Sequence, residues 1–232
     1  MEKFNFDEEM KLGKKHINII DNYNKNQYDF RPFIKECFQY ENLNEIHKLD
    51  NEYKVFEEFG PDTQTWYHKT FYKYLKENGT NMQNTYDELI KDVILPYLNL
   101  SEALVQQFPS FRIQLPNNVA VAKKHTDSSL GHPYGEINFT YTITDMFDTN
   151  SIFIESFPKS NEFVKISANA NNNISFNANQ CIHYNELNIT GKTRMSMDYR
   201  ILPIEFIPNQ ETFSHSTKTK FVNGEYYKYF KI

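Results

Sequence analysis

The chain has 232 residues, of which 39% are hydrophobic, and its 20 Phe and 16 Tyr supply enough bulky apolar material for a substantial core. The net charge of -5 is small and Lys and Arg form no long run, so the composition does not indicate a nucleic-acid-binding protein. The two cysteines are far apart, which predicts no disulfide framework. No apolar run is long enough to span a membrane and the first residues are polar, so we predict no membrane span and no signal peptide. Together these features favour a cytoplasmic protein.

The first hundred residues are predicted to be mainly helical. Residues 1–30 are polar and only weakly periodic, which predicts an irregular or partly helical lead-in. Beyond them, apolar residues recur every three or four positions, a spacing typical of helices. The predicted helical segments are 31–58 (one or two helices), 64–77, 81–98 and 101–108. Gly60-Pro61-Asp62 predicts a break before the second segment, and Thr63 or Thr65 is its predicted N-cap.

From Phe111 onward the pattern changes to short apolar runs separated by Asn, Gly, Pro and Asp. The predicted strands are 111–115, 119–123, 136–143, 151–157, 163–167, 174–177, 181–184 and 193–203, with 219–230 as a further candidate. Short strands at close intervals are typical of a β-sandwich or barrel. No Gly/Ser/Pro-rich linker separates the two halves, so we predict an α+β protein in which a helical region, 1–105, packs on a β-domain, 106–232, in one compact unit.

Two short motifs could bind a metal ion. In His125-Thr126-Asp127 the histidine and the carboxylate are two positions apart, so on a strand they would point to the same side. Alone, such a pair is equally typical of a polar strand end. His183 lies 58 residues later, and two histidines with one carboxylate form the facial triad of non-haem Fe(II) oxygenases. His132 is a competing candidate for a ligand.

The strand predicted at 193–203 has one apolar and one strongly polar face. Its polar residues are Arg194, Ser196, Asp198 and Arg200. In the simpler interpretation this face meets water; in the other it lines a barrel interior and binds an anion. The guanidinium of Arg194 suits a carboxylate because its planar fork pairs bidentately, and Ser196 could donate to the same group. Asp198 and Arg200 could pair with each other, or Arg200 could contact a substrate.

In this order and spacing, residues 112–203 resemble the 2-oxoglutarate/Fe(II)-dependent oxygenase superfamily, and within it the group named after a streptomycin-biosynthesis protein. The residues that carry the resemblance are Arg112-Ile113-Gln114, His125-Thr126-Asp127, Gly135-Glu136-Ile137-Asn138-Phe139, Asn150-Ser151, Glu155-Ser156, His183-Tyr184-Asn185 and the run from Asn188 to Arg200. No comparable resemblance covers residues 1–105.

The resemblance implies a double-stranded β-helix, or jelly-roll barrel, with a metal near its mouth. It implies His125, Asp127 and His183 as Fe(II) ligands, and Arg194 with Ser196 as the clamp for the distal carboxylate of 2-oxoglutarate. Dioxygen would be the second co-substrate. The same ligands also accept manganese, cobalt or nickel. The expected activity is that of a dioxygenase that oxidises, in the simplest case hydroxylates, a small molecule.

Polar residues near these motifs are candidates for substrate contact. They are Gln114, Glu136, Asn138, Glu155, Asn185 and Arg200. The alternative is that they orient the metal ligands. For Glu155, which ends an apolar run, we predict pairing with a buried arginine, since an unpaired buried charge is costly. The segment 128–135 contains two glycines and a proline and predicts a loop over the site. A polar set of this kind suits a sugar, an aminocyclitol or an amino-acid derivative.

Three other interpretations remain open at this stage. A non-redox sugar epimerase or isomerase of the same barrel class would use the histidines as acid and base, but it needs no Arg-x-Ser clamp. A sugar-binding jelly roll would hold its ligand without turnover. An oxygenase fold that has lost activity is disfavoured by the complete triad of His125, Asp127 and His183.

Overall fold

The computed structural model describes residues 16–49, 65–120, 123–215 and 218–232, and its main feature is a pair of antiparallel sheets. The strands are β1 (Asn18–Ile20), β2 (Glu102–Gln106), β3 (Ser110–Gln114), β4 (Ile137–Thr142), β5 (Ile152–Glu155), β6 (Phe163–Ile166), β7 (Asn173–Phe176), β8 (His183–Asn185), β9 (Arg194–Pro203) and β10 (Tyr227–Lys231). The large sheet has the order β1-β7-β4-β9-β2-β10, with β3 also paired to β9, and the small sheet has the order β6-β5-β8.

The chain passes repeatedly between the two sheets. From β4 it enters β5 and β6 of the small sheet, returns to β7, crosses to β8 and returns to β9. His125 extends the small sheet through an isolated bridge to His183. Buried side chains from both sheets, including those of Ile154 and Ile174, pack into one cluster between them. This arrangement is a jelly-roll, double-stranded β-helix, and the predicted α+β class is confirmed.

Within the described ranges, four helices precede most of the barrel strands: α1 (Arg31–Phe38), α2 (Trp66–Asn78), α3 (Thr80–Leu89) and α4 (Leu95–Tyr97). A 3-10 turn occupies Leu43–Leu49, and a π turn, Ile90–Ile94, joins α3 to α4. Thr65 accepts a hydrogen bond from the backbone N–H of His68 at the start of α2, so this N-cap prediction is confirmed. Thr63, the predicted break at 60–62 and the end of the 31–58 segment lie outside the described residues.

The helices cover one face of the large sheet. Phe71 of α2 stacks on Phe111 of β3 at 4.4 Å between ring centroids, and Tyr86 of α3 meets Tyr199 of β9 edge to face at 5.5 Å. The apolar residues of β9 therefore face the helices. Because side chains alternate along a strand, its polar residues, beginning with Arg194, face the small sheet and the barrel interior.

Several secondary-structure predictions were wrong. The predicted helix 101–108 is strand β2, whose apolar centre is buried between β9 and β10. Part of the predicted lead-in is strand β1, which pairs with β7. The described part of the predicted strand 119–123 is not in a strand. The predicted division at residue 105 falls within β2, and the two-region description of the chain stays a prediction. Among the described residues, no helix is long and apolar enough to cross a membrane.

Candidate metal centre and adjoining pocket

Antiparallel pairing at the edge of the small sheet brings the two histidines together. The backbone N–H of His183 donates to the carbonyl of His125 at 2.9 Å, and the ring centroids are 4.3 Å apart. Asp127 Oδ1 lies 3.9 Å from His125 Nε2 and 3.7 Å from His183 Nε2. The candidate ligand atoms all lie within 4.8 Å of one another, so these three residues could hold one divalent cation.

The histidines are oriented by backbone carbonyls. His125 Nδ1 lies 2.8 Å from the carbonyl of Lys123, and His183 Nδ1 lies 3.2 Å from that of Cys181. We assign the proton of each neutral ring to Nδ1, since a carbonyl oxygen can only accept. The lone pair of each Nε2 is then directed towards Asp127. Burial lowers the pKa of His183 to about 4, against the opposing effect of Asp127, so this ring is neutral near pH 7.

Asp127 uses its two oxygens differently. Its Oδ2 accepts from Asn138 Nδ2 at 2.7 Å and from Arg200 Nε at 2.9 Å, and it forms an ion pair with Arg200 Nη2 at 2.8 Å. Its Oδ1 faces the two histidines. Burial alone would raise the pKa of Asp127, but the charge of Arg200 and its hydrogen bond oppose burial, and the pKa is held well below its usual range. Asp127 is therefore an ionised carboxylate whose Oδ1 is left facing the two histidines.

A pocket of about 540 Å³, including the space at its open mouth, adjoins these three residues. Its polar lining comprises Arg112, His125, Asp127, Asn138, His183, Tyr184, Asn185, Arg194, Asp198 and Arg200. Most of the arginines in this set have a carboxylate partner, as the contacts of Arg112 and Arg200 show. Arg194 differs from both.

Arg194 is 3% exposed and makes only weak contacts. Its Nη2 lies 3.5 Å from Asn185 Oδ1 and its Nη1 lies 3.9 Å from the sulfur of Met146, while its Nε and the Oγ of nearby Ser196 have no hydrogen-bond partner among the described residues. Burial lowers the pKa of Arg194 to about 10, so it stays charged near pH 7. Buried donors without acceptors are rare in folded proteins, and these two match the needs of a bound carboxylate.

Three of the predicted substrate contacts lie at the pocket, but they differ in their freedom to bind. Asn138 supports Asp127 and also accepts from the backbone N–H of Asn179. Arg200 is held by Asp127 and has further partners behind it. Asn185 lies beside Arg194 and donates to the carbonyl of Ser151. Asn185 is therefore the best placed of these three for a ligand.

The other three predicted contacts are buried and do not line the pocket. Gln114 donates to the backbone carbonyls of Asn118 and Glu186. Glu136 contacts His132 Nδ1 at 2.7 Å and the hydroxyl of Tyr227. His132, the competing candidate for a ligand, thus pairs with Glu136.

Glu155 corrects a specific expectation. It accepts hydrogen bonds from the backbone N–H groups of Lys159, Asn161 and Ile182. The predicted pairing of Glu155 with a buried arginine was therefore wrong, because backbone donors satisfy the buried carboxylate.

Two pocket residues were missed as a pair by the sequence analysis. Arg112 Nε donates to Asp198 Oδ2 at 3.1 Å, and Thr140 donates to Asp198 Oδ1 at 2.8 Å. Of the two alternatives left open for Arg200, pairing with Asp198 does not occur in the structure, since Arg200 is bound to Asp127. The available signal was the inward-facing position of Asp198 on β9, but its partner depends on the register between β3 and β9.

The loop after Asp127 is packed against the C-terminal part of the chain. Leu130 accepts from the backbone N–H of His215, and Gly135, with φ of 88°, lies against the ring of Phe206. A Cβ at Gly135 would lie 2.3 Å from that ring, so only glycine fits without displacement. These contacts hold the predicted loop against the C-terminal part of the chain.

Comparisons with known proteins gave one curated relative. No protein-family model matches the chain. The streptomycin biosynthesis protein StrG of Streptomyces griseus is 29% identical over 166 residues, which are 72% of this chain and 77% of StrG. Among solved structures, the nickel complex of the non-haem monooxygenase ThoJ matches with a TM-score of 0.49 at 11% identity, over 88% of this chain and 81% of that chain. The α-ketoglutarate-dependent carbocyclase SnoK from nogalamycin biosynthesis matches with a TM-score of 0.49 at 9% identity, over 94% and 93%.

The barrel and its His-Asp-His group define a jelly-roll protein with a candidate facial-triad metal centre, and in these features it resembles the 2-oxoglutarate/Fe(II)-dependent oxygenases. The relationship to StrG confirms the narrower resemblance to the streptomycin-biosynthesis group that the sequence motifs indicated.

Proposed function

We propose that this protein is a non-haem, Fe(II)- and 2-oxoglutarate-dependent dioxygenase. The observation that carries the proposal is Arg194: a buried cation, whose Nε has no hydrogen-bond partner among the described residues, lies on the same pocket as a group of two histidines and one aspartate. A sugar epimerase or a sugar-binding barrel has no need for such a cation. An enzyme that binds a dicarboxylate beside its metal does.

In this proposal His125 and His183 hold the metal through Nε2, and Asp127 holds it through Oδ1. Three protein ligands on one face leave the opposite positions of an octahedron open. Fe(II), 2-oxoglutarate and dioxygen would together supply the oxidising chemistry, which belongs to the cofactor and co-substrates rather than to the protein. Manganese, cobalt or nickel could occupy the same ligands without supporting it.

Arg194 and Ser196 would bind the distal carboxylate of 2-oxoglutarate. The guanidinium can donate two parallel hydrogen bonds to one carboxylate, and the hydroxyl can add a third. Both residues are buried, so water competes little for these bonds. Binding would also neutralise Arg194, which otherwise remains a buried charge without an ionic partner among the described residues.

The substrate that we propose is a polar small molecule, such as a sugar, an aminocyclitol or an amino-acid derivative. The side chains of Arg112 and Asp198 are 28% and 20% exposed at the pocket, and together with Asn185 they offer donors and acceptors for hydroxyl or amine groups. The similarity to StrG, a streptomycin biosynthesis protein, supports the same class of substrate.

The test is an anaerobic titration of the metal-free protein with Fe(II) and then 2-oxoglutarate, followed by visible absorbance. Chelation of the keto acid by bound iron should give a weak charge-transfer band. We expect His183→Ala to lose the band and Arg194→Ala to require much more 2-oxoglutarate for it. Arg31→Ala is a matched control, because Arg31 pairs with Asp29 outside the pocket.

Two results would contradict the proposal. If iron binds without forming the band, the assignment of Arg194 as a clamp is wrong, and an isomerase or binding barrel becomes the better account. If the protein binds no divalent metal at all, the His-Asp-His group is not a metal site.

A further inference from the structure

We propose that Arg200 is a positioning residue that fixes which oxygen of Asp127 faces the metal, and that Gln106 at the end of β2 and Tyr226 just before β10 hold Arg200 in place. This inference rests on the proposed function, because it takes Asp127 to be a metal ligand. It concerns residues that do not themselves touch the metal.

The two oxygens of the Asp127 carboxylate have different partners. Oδ2 of Asp127 accepts one hydrogen bond from Asn138 and one from Arg200 Nε, and it also forms an ion pair with Arg200 Nη2 at 2.8 Å. An oxygen that is saturated in this way is a poor metal ligand, so Asp127 is restricted to coordination through Oδ1. A carboxylate released from these bonds could turn and bind with both oxygens. It would then occupy a position that the co-substrate needs.

Arg200 is itself held by two further side chains. Its Nη1 donates to Gln106 Oε1 and to the hydroxyl of Tyr226, each at 3.2 Å, and that hydroxyl donates to Gln106 Oε1 at 2.9 Å. The guanidinium is therefore bound on one side by Asp127 and on the other by Gln106 and Tyr226. Because its fork is planar, fixing one side also fixes the other.

Arg200 also balances the charges of the carboxylates of Asp127 and Glu136. Asp127, His132 and Glu136 form a second group whose ligand atoms are close enough to hold a cation. Arg200 already supplies that cation: its nitrogens lie 2.8 Å from Asp127 Oδ2 and 3.9 Å from Glu136 Oε2. Glu136 is in turn held by His132 and by the hydroxyl of Tyr227. We therefore assign this second group a supporting role and not a second metal.

The support comes from outside the part of the chain that carries the family resemblance. Tyr227 begins β10, Tyr226 immediately precedes it, and Gln106 ends β2, with which β10 pairs. Through Arg200, residues at the adjoining ends of β2 and β10 support the candidate metal centre. No sequence motif indicated a role for Tyr226 or Tyr227.

The experiment compares Arg200→Met, Arg200→Lys and Tyr226→Phe with the wild-type protein in the anaerobic Fe(II) titration, and measures the affinity for 2-oxoglutarate at saturating iron. We expect Arg200→Met to weaken 2-oxoglutarate binding about tenfold or more, the usual effect of removing a group that orients a metal ligand. Arg200→Lys should recover part of the loss, because it restores one donor to Oδ2 but not the fork.

Tyr226→Phe separates positioning from direct contact, because it changes Arg200 without altering the lining of the pocket. We expect a weaker effect in the same direction, about two- to tenfold, as the loss of one hydrogen bond allows. It also decides the matter if Arg200→Met does not fold. Affinity within about twofold of wild type in Tyr226→Phe and in any folded Arg200→Met overturns the inference while leaving the proposed function intact. If the wild-type protein binds no metal, it is the proposed function that fails.

Discussion

The buried charge of Arg194 lowers the stability of the folded protein when no anion is bound. Its charge is buried, and no ion pair with a carboxylate is found among the described residues. We expect Arg194→Met, which keeps much of the volume and removes the charge, to raise the free energy of unfolding of the ligand-free protein by about 1–4 kcal/mol. Thermal unfolding with Mn(II), with and without 2-oxoglutarate, checks this: the co-substrate should stabilise the wild type but not the variant. A less stable ligand-free variant would show that Arg194 already has adequate partners.

His16 gives a prediction about pH. Its Nε2 lies 3.0 Å from the carbonyl of Glu155, and its Nδ1 accepts from the backbone N–H of Asn177. Burial lowers the pKa of His16 below the ordinary value of 6.5, so the unfolded chain takes up the proton first as the pH falls. The stabilisation from His16 is thus fully present above pH 6.5 and is lost below it. Urea unfolding between pH 5 and 7 should show a smaller loss of stability in His16→Asn than in the wild type; equal slopes would contradict this.

At the scale of elements, helix α2 depends on its N-cap. The hydroxyl of Thr65 accepts from the backbone N–H of His68, which would otherwise lack an acceptor in the first turn. We expect Thr65→Ala to lower the free energy of unfolding by about 1 kcal/mol. Thr85→Ala is the matched control, because Thr85 is half-buried inside α3 and its hydroxyl donates to the carbonyl of Asn81 four residues earlier. That variant should be neutral or slightly stabilised, since alanine favours a helix interior.

The elements predicted correctly are those whose pattern is local. The strands β4 and β9 were predicted from short apolar runs and from strict alternation, which report on burial of one face. Strand β2 was mistaken for a helix because its apolar run is short, and short runs do not distinguish the two states. What makes it a strand is pairing with β9 and β10, about 100 residues away in the chain, and no local pattern records that pairing.

The same limit applies to the site. His125, Asp127, His183 and Arg194 were predicted because each lies in a short motif, and the structure brings the first three together beside the pocket that Arg194 lines. Their roles remain proposals. The pairing of Arg200 with Asp127 was out of reach, because it depends on how the strands β4, β9 and β10 register against one another.

For the whole molecule, the packing of α2 and α3 on the large sheet predicts a single cooperative unfolding transition. One hydrophobic cluster contains Phe71 and Tyr86 from the helices with Phe111 and Tyr199 from the sheet. Each large apolar side chain contributes about 1.5–3 kcal/mol when buried, so exposing a handful of them would cost about as much as a typical net stability of about 5–15 kcal/mol. We therefore expect a fragment of residues 106–232, which also lacks most of β2, to be unfolded by near-ultraviolet circular dichroism and to bind no Mn(II). In the full chain, tyrosine fluorescence and far-ultraviolet circular dichroism should give coincident urea transitions. A folded, metal-binding fragment, or two separate transitions, would show that the barrel is an independent domain.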